Sequence, residues 1–373
     1  MTKILYVIST LANQGPVNQL YNLVKNIDRK EFSVEILTLS KEGNNSRIKE
    51  FYNLNIIIHS LNIPHAKHSL YKKTFLDKIE KINPNIVHSH GFRADFFNSL
   101  LKKNKNIVTF NTIHNYAYED YVNLYGQARG LLLAYRHLKL IKNIDYPVAC
   151  SLAIKKILKN KHSLDVYAIQ NSADEEKFNC RENFSKGLYR EKLNLGKDKI
   201  IYIYVGSLIK TKNVRYLIDA FNTLDNNFEL LVVGDGKEKV RLEKMSSKNV
   251  KFLGRKDNVQ EYLFASDVFV SASFSEGMPT AVLEAMACGL PLLLSDIPQH
   301  QEIIDKNPFM GDLFSLSDRD DLIHKIIAYS SKDIIFGKSK ASVDTFNKYF
   351  TSKRMAEEYT KLYENAIKEK NSA

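Results

Sequence analysis

The sequence is poor in the residues that brace small secreted folds. It has three cysteines (Cys150, Cys180 and Cys288) and eight prolines among 373 residues. Three cysteines form no framework of pairs, leave one over, and suit a reducing compartment. No apolar run reaches the roughly 18 residues that a bilayer-spanning helix needs, so an integral membrane protein is not expected. The first residues, Met1 to Ile8, read as a strand, because Asn13 and Gln14 arrive too early for a signal peptide. Helix-turn-helix signatures, zinc-finger spacing and RNP-type aromatic motifs are also missing, which argues against a nucleic-acid partner. What is present is ordinary globular composition, with 44% hydrophobic and 26% charged residues, at a length suited to two domains. The expectation is a soluble, cytoplasmic, two-domain protein.

The formal charge of +12 is one-sided. Residues 1–171 carry 24 Lys and Arg against 12 Asp and Glu, whereas residues 172–373 carry 30 of each. A basic surface confined to one half can hold nucleic acid, an anionic membrane leaflet or a phosphorylated substrate. Solvated helix faces in a Lys/Asn/Ile-rich chain are the plain alternative.

Short β-branched runs alternate with amphipathic stretches. Residues 3–9, 32–39, 56–59, 86–88, 107–112 and 146–150 read as strands, with helical spacing at 16–27, 70–82 and 92–102. The scheme repeats with strands at 200–206, 228–234, 250–253, 268–271 and 291–295, and helices at 213–224, 280–288 and 320–329. Near-continuous apolar strands separated by helices imply an α/β fold with parallel sheets covered on both faces. Two such series predict two Rossmann-like, doubly wound domains, residues 1–175 and 199–349, joined by a polar linker at 176–198. Ligands of open α/β sheets bind at the carboxyl ends of the strands, so a central cleft between the domains is the expected active site. Residues 121–143 are helical in pattern, with Arg129, Arg136, Lys139 and Lys142 beside several leucines. They fit either an interfacial amphipathic helix or a core-facing helix with snorkelling basic residues.

The most informative stretch is Phe274-Ser275-Glu276-Gly277-Met278-Pro279-Thr280-Ala281-Val282-Leu283-Glu284-Ala285-Met286-Ala287-Cys288-Gly289-Leu290-Pro291. It is a strand end, a Gly-Met-Pro turn, a short helix stopped by Gly289, and a new strand. Pro279 suits the first turn of a helix. Backbone N–H groups in residues 277–280, reinforced by the helix dipole, are expected to make a diphosphate site. Carboxylates repel phosphate, so Glu276 and Glu284 make sense as acceptors for sugar hydroxyls on either side of it.

This string resembles the E-x7-E signature, E-G-x-P-x4-E-A-x-A-x-G-x-P, of retaining family 4 glycosyltransferases of the GT-B fold. Val205-Gly206-Ser207-Leu208 with Lys212-Asn213, Val233-Gly234-Asp235-Gly236 and Val250-Lys251-Phe252-Leu253-Gly254 are similar to other stretches of that family, in order. The resemblance implies two Rossmann-like domains facing a cleft, with a C-terminal helix within residues 350–373 crossing back to complete the first. It implies a metal-independent hexosyltransferase with no cofactor beyond its nucleotide-sugar co-substrate.

Carried onto this sequence, the resemblance makes Lys212 the cation that binds the donor diphosphate and steadies the leaving group, a role suited to a point charge. Glu276 would contact the transferred sugar, Glu284 the ribose, and the turn at Gly254-Arg255-Lys256 the nucleobase. His114, at a strand end, would contact the donor sugar or the reaction centre. Glu276, His114 and Lys212 are therefore the expected catalytic group. Gly15, Ser207, Lys212, Arg255, Glu276, Gly277, Met278, Pro279 and Glu284 are the expected donor-binding set. His88 and His90, at the preceding strand end, are expected to shape the acceptor's cleft. A metal held by His88, His90 and His114 lacks a carboxylate or cysteine partner at ligand spacing. Asp318-Arg319-Asp320 mimics a metal-binding D-x-D, but it opens a helix, where acids are ordinary.

Three positions depart from the family pattern. Ser207 stands where many members have arginine, Asn213 replaces a common glycine, and Gln170-Asn171-Ser172 replaces Pro-Asn-Gly. The expected function is transfer of a sugar, with a UDP-sugar as donor, to a hydroxyl of a saccharide acceptor. That acceptor is expected to be polyprenyl-diphosphate-linked, at the inner face of the plasma membrane, in bacterial capsule, exopolysaccharide or other surface glycan synthesis. Two other readings use the same fold, a nucleotide-sugar epimerase and an inactive nucleotide-sugar-binding partner subunit. The first would need additional acid/base carboxylates in the cleft, and the E-G-x-P-x4-E-A-x-A-x-G-x-P string argues against it; the retained Glu276, Glu284, Lys212 and His114 argue against the second.

Overall fold

The computed structural model describes residues 1–64, 68–179 and 185–372. Cys180 and part of the expected linker lie outside the described residues. The chain divides into two compact units, Met1–Ser172 with Ser352–Ala373, and Ala173–Thr351.

The first unit runs β1 (Thr2–Ile8), α1 (Gly15–Asn26), β2 (Phe32–Thr38), α2 (Ile48–Asn53), β3 (Ile57–Ser60), α3 (Lys72–Ile82), β4 (Ile86–His90), α4 (Phe92–Asn98), β5 (Val108–Ile113), α5 (Ala117–Tyr125), α6 (Gln127–Ile141), β6 (Tyr146–Ala149), α7 (Leu152–His162) and β7 (Tyr167–Ala168). Its sheet has the order β3-β2-β1-β4-β5-β6-β7, and all pairs are parallel. Parallel neighbours require crossover connections, which the intervening helices supply.

The second unit runs α8 (Lys186–Lys192), β8 (Ile200–Val205), α9 (Val214–Phe221), β9 (Phe228–Val233), α10 (Lys239–Met245), β10 (Val250–Gly254), α11 (Val259–Ala265), β11 (Val268–Ser271), α12 (Thr280–Ala287), β12 (Leu292–Ser295), α13 (Pro298–Ile304), β13 (Gly311–Phe314), α14 (Arg319–Ala328) and α15 (Lys332–Tyr349). The sheet order is β10-β9-β8-β11-β12-β13, again parallel. Strand order reverses at β1/β4 in one unit and at β8/β11 in the other. Each reversal leaves a crevice at the carboxyl ends of the strands, where ligands of such sheets bind.

The final helix, α16 (Ser352–Asn371), returns to the first unit. Its spacing puts Met355, Tyr359, Tyr363 and Ala366 on one face, and that face is buried among Ile4, Tyr6, Phe32 and Phe110. Residues 176–198, expected to be a linker, instead carry α8, whose buried Arg190 donates to the carbonyl of Ala265 and pairs with Asp267. A guanidinium with those partners fastens the segment to the second unit. Residues 121–143 do not form a single helix. Gly126, at φ 80°, breaks the pattern into α5 and α6, which fold as a hairpin. Gly130 permits their contact, because a Cβ there would meet the Val122 Cα at 2.5 Å. Asp318 caps α14, accepting from the backbone N–H groups of Asp320 and Asp321.

Candidate active site

In the second unit the strands β8 and β9 end in two glycine turns packed against each other. Gly234, at φ 148°, lies so close to the Gly206 carbonyl that a Cβ would overlap it. That packing sets the loop of Gly206, exposed Ser207 and Leu208, from which the chain enters the turn holding Lys212. Beside it, β11 gives way to Ala272-Ser273-Phe274-Ser275-Glu276. The Phe274 N–H donates to the Thr211 carbonyl at 2.9 Å, joining the two loops.

The loops bring Lys212 and Glu276 together. The Lys212 Nζ donates to Glu276 Oε2 at 2.5 Å, and the Ser273 hydroxyl donates to Oε1 at 2.7 Å. Burial works to raise the Glu276 carboxyl, but the Lys212 ammonium and the Ser273 hydroxyl counter it, and the carboxyl lies below its ordinary value. Glu276 is thus an ionised acceptor with a fixed orientation. Gly277, Met278 and Pro279 are buried and lead into α12, with Pro279 at the N-cap position, so this helix N-terminus lies directly after Glu276. Glu284 follows on α12, half-buried, and Arg255 is exposed just after β10. The structure therefore groups Lys212, Glu276, Gly277, Met278 and Pro279 around one helix start, next to the loop bearing Ser207.

In the first unit Gly15 opens α1 at the carboxyl end of β1, with open space where its Cβ would be. His90 ends β4 and His114 follows β5. Their rings stack at 5.2 Å, with His90 Nδ1 3.0 Å from His114 Nε2. Burial pushes the His114 imidazole down to about 4, although Asp95 pulls it up, and holds His90 well below its ordinary value. Both rings are uncharged at neutral pH. The Cys150 thiol donates to the His114 carbonyl at 3.3 Å and fixes the strand end.

His88, expected on the acceptor's side, lies elsewhere. It is fully buried beneath α16, with Nδ1 2.5 Å from the Tyr363 hydroxyl and Nε2 2.8 Å from the Thr112 hydroxyl. Both ring nitrogens are committed to the core, so His88 faces no ligand. The alternation of a strand places His88 and His90 on one face, and α16 covers the first of them.

Sequence reasoning missed two polar networks. Ser273, Ser295 and His300 support Glu276 from below. In the first unit, Asp95 accepts from the Ser89 hydroxyl at 2.6 Å, from the Asn111 amide at 3.2 Å and from His137 Nε2 at 2.7 Å, while the Tyr121 hydroxyl lies 2.8 Å from His137 Nδ1. Only the Ser-x-Ser spacing of Ser271 and Ser273 at a strand end offered a signal. Among the described residues, no group of three or more His, Cys, Asp or Glu is placed to hold a metal ion.

Residues 185–367 match the model of glycosyl transferases group 1, and residues 14–177 match that of glycosyltransferase family 4. The O-antigen biosynthesis glycosyltransferase WclY of Escherichia coli is 28% identical over 378 residues, covering 98% of this chain and 99% of its own. The UDP-Gal:alpha-D-GlcNAc-diphosphoundecaprenol alpha-1,3-galactosyltransferase of the same organism is 29% identical over 292 residues, covering 73% of this chain and 72% of its own. Among solved structures, the sucrose-phosphate synthase of Thermosynechococcus elongatus has the same fold, with a TM-score of 0.85 at 19% identity, covering 98% of this chain and 99% of that one. The shared architecture is GT-B.

Proposed function

Because this chain belongs to the family 4 glycosyltransferases, we propose that it transfers a sugar from a UDP-sugar, with retention of anomeric configuration and without a metal ion, to a saccharide acceptor carried on a lipid diphosphate. The observation that carries the reading is the Lys212–Glu276–Ser273 constellation at the N-terminus of α12. A helix N-terminus and a lysine suit the donor diphosphate, and an ionised carboxylate suits the hydroxyls of the sugar.

In this mechanism the bond between the sugar C1 and the diphosphate oxygen breaks, and a bond from C1 to the acceptor oxygen forms on the same face. The acceptor proton passes to the departing diphosphate. Lys212 and the α12 N–H groups stabilise the charge gained by the leaving group, while Glu276 stabilises the positive charge that develops on the sugar ring. Glu284 and Arg255 keep the ribose and nucleobase roles and His114 the sugar-contacting role that the resemblance gives them, while Gly15 and Ser207 belong to the donor-binding set, Ser207 in place of the family's arginine. His90 acts through its hydrogen bond with His114.

Support for a lipid-linked acceptor comes from the diphosphoundecaprenol substrate in the name of one relative and from the excess of basic residues in the first unit. The α5–α6 hairpin exposes Leu124, Tyr125, Leu131, Leu132 and Tyr135 beside Arg129, Arg136 and Lys139, a surface suited to an anionic leaflet. No helix among the described residues is long and apolar enough to cross a membrane, so the contact would be peripheral. Place of action and role are read accordingly, at the cytoplasmic face in bacterial surface polysaccharide synthesis. The test is transfer from UDP-sugars to polyprenyl-diphosphate saccharides in the presence of EDTA, with the product anomer assigned by NMR. A product of the donor's configuration supports the reading; an inverted product, or dependence on added metal, contradicts it.

A further inference from the structure

Beneath Glu276 lies a chain of buried polar groups. Ser273 and Ser295, at the carboxyl ends of β11 and β12, are fully buried, as is His300 on α13. The His300 Nδ1 lies 2.9 Å from the Ser295 carbonyl, an acceptor only, so Nδ1 carries the proton and donates. The same Nδ1 is 3.1 Å from the Ser295 hydroxyl, which in turn donates to the Ser273 carbonyl at 2.7 Å. The Ser273 hydroxyl donates to Glu276 Oε1. Among the described residues, His300 Nε2 is buried without a hydrogen-bond partner. An orphaned ring nitrogen is a cost that an apolar side chain would avoid, so the histidine is there for what Nδ1 does.

We propose that His300 is a positioning residue for Glu276, acting through Ser295 and Ser273 as an uncharged hydrogen-bond donor. Each link is a short directional bond between immobilised groups, and together they fix the loop from Ser273 to Glu276 against the end of β12. With Lys212 on the other carboxylate oxygen, Glu276 has one orientation. The ring must stay neutral, since an imidazolium beside Lys212 would compete for the carboxylate. Burial pushes His300 down to about 4, which keeps it so at neutral pH. The proposal rests on Glu276 as the sugar-contacting carboxylate.

The test compares His300→Asn, whose amide can replace Nδ1–H, with His300→Gln and His300→Phe, which cannot. Two readouts are needed: turnover of UDP-sugar, and the titration of the Glu276 carboxyl by 13C NMR in ligand-free enzyme. The titratable groups coupled to that carboxyl are Lys212 from the turn before α9, His300 from α13 and Tyr204 from β8. The Gln and Phe variants should lower kcat about ten- to a hundredfold, with donor KM little changed, and move the Glu276 titration upward. The Asn variant should recover most of both. Wild-type kcat and titration in a folded Gln or Phe variant would overturn the proposal, and so would an Asn variant as damaged as Gln. If those variants do not fold, Ser295→Ala, which removes the hydroxyl between His300 and Ser273, carries the test, and an unmoved titration there is equally decisive. Full activity of Glu276→Gln would instead sink the functional reading, while the titration still judges the role of His300.

Discussion

The Tyr363 hydroxyl and the His88 Nδ1, 275 residues apart in sequence, lie 2.5 Å apart in the core of the first unit. This bond is part of a network in which Tyr363 also meets the Tyr6 hydroxyl at 3.2 Å, and Tyr359 meets Thr112 at 2.8 Å. The last helix is therefore a structural member of the first unit. Tyr363→Phe leaves His88 Nδ1 buried and unpaired, and should destabilise the protein by about 1–3 kcal/mol, measured by urea unfolding of the full chain. An unchanged midpoint would remove the helix's polar anchoring from the account.

Stability should depend on pH in a defined window. Burial depresses His88 to about 3 and His114 and His300 to about 4, from an ordinary value of 6.5, and His90 also lies well below it. The unfolded chain therefore takes up protons near pH 6.5 that the folded protein refuses. Stability is fully present above that pH and is lost as pH falls towards the folded values, at up to about 1.4 kcal/mol per pH unit for each histidine. Thermal unfolding between pH 7.5 and 4.5 checks the slope; a constant Tm through that window would contradict it.

Lys212→Ala removes both the charge opposite Glu276 and the cation assigned to the diphosphate. The Glu276 carboxyl should then titrate higher. Turnover should drop by about a hundred- to a thousandfold, as with other deleted transition-state contacts. Donor binding measured by calorimetry should weaken in the same variant. Wild-type affinity for UDP would mean that the diphosphate is held elsewhere.

The hairpin of α5 and α6 gives a prediction independent of the chemistry. Sedimentation with vesicles rich in phosphatidylglycerol should pull down the protein, and added salt should release it. The pair Leu131→Glu and Tyr135→Glu, both on exposed positions, should abolish binding without lowering Tm. Equal binding to neutral vesicles would point away from the basic residues.

The doubly wound architecture was legible because its strands are almost uninterrupted apolar runs, such as Ile200 to Val205, and because glycine turns follow them. The turn from Phe274 to Pro279 was legible for a similar reason, since its glycine and proline mark a turn into a helix, whereas Ser273 just before it was not. The break in residues 121–143 was not, because a glycine within a helical pattern reads as tolerated until Gly126 is seen at positive φ. Helix α15 was hidden by weak amphipathy, with Gly337, Ser339, Ser342 and Thr345 along it. His88 was misread because strand alternation reveals which residues share a face, but not that a helix 275 residues away covers it. His300, between Gln299 and Gln301, looks like a solvated helix start, and only the tertiary fold turns it towards Ser295.

The central claim is that Glu276, held by Lys212 and Ser273, serves sugar transfer. Its most direct test is release of UDP from a panel of UDP-sugars by the wild-type enzyme and by Glu276→Gln, in EDTA and with a polyprenyl-diphosphate saccharide present. The wild type should turn over one UDP-sugar, and the variant should lose nearly all of that turnover while still binding UDP. Turnover undiminished in Glu276→Gln, or no turnover of any UDP-sugar by wild-type enzyme that binds UDP, would contradict that claim.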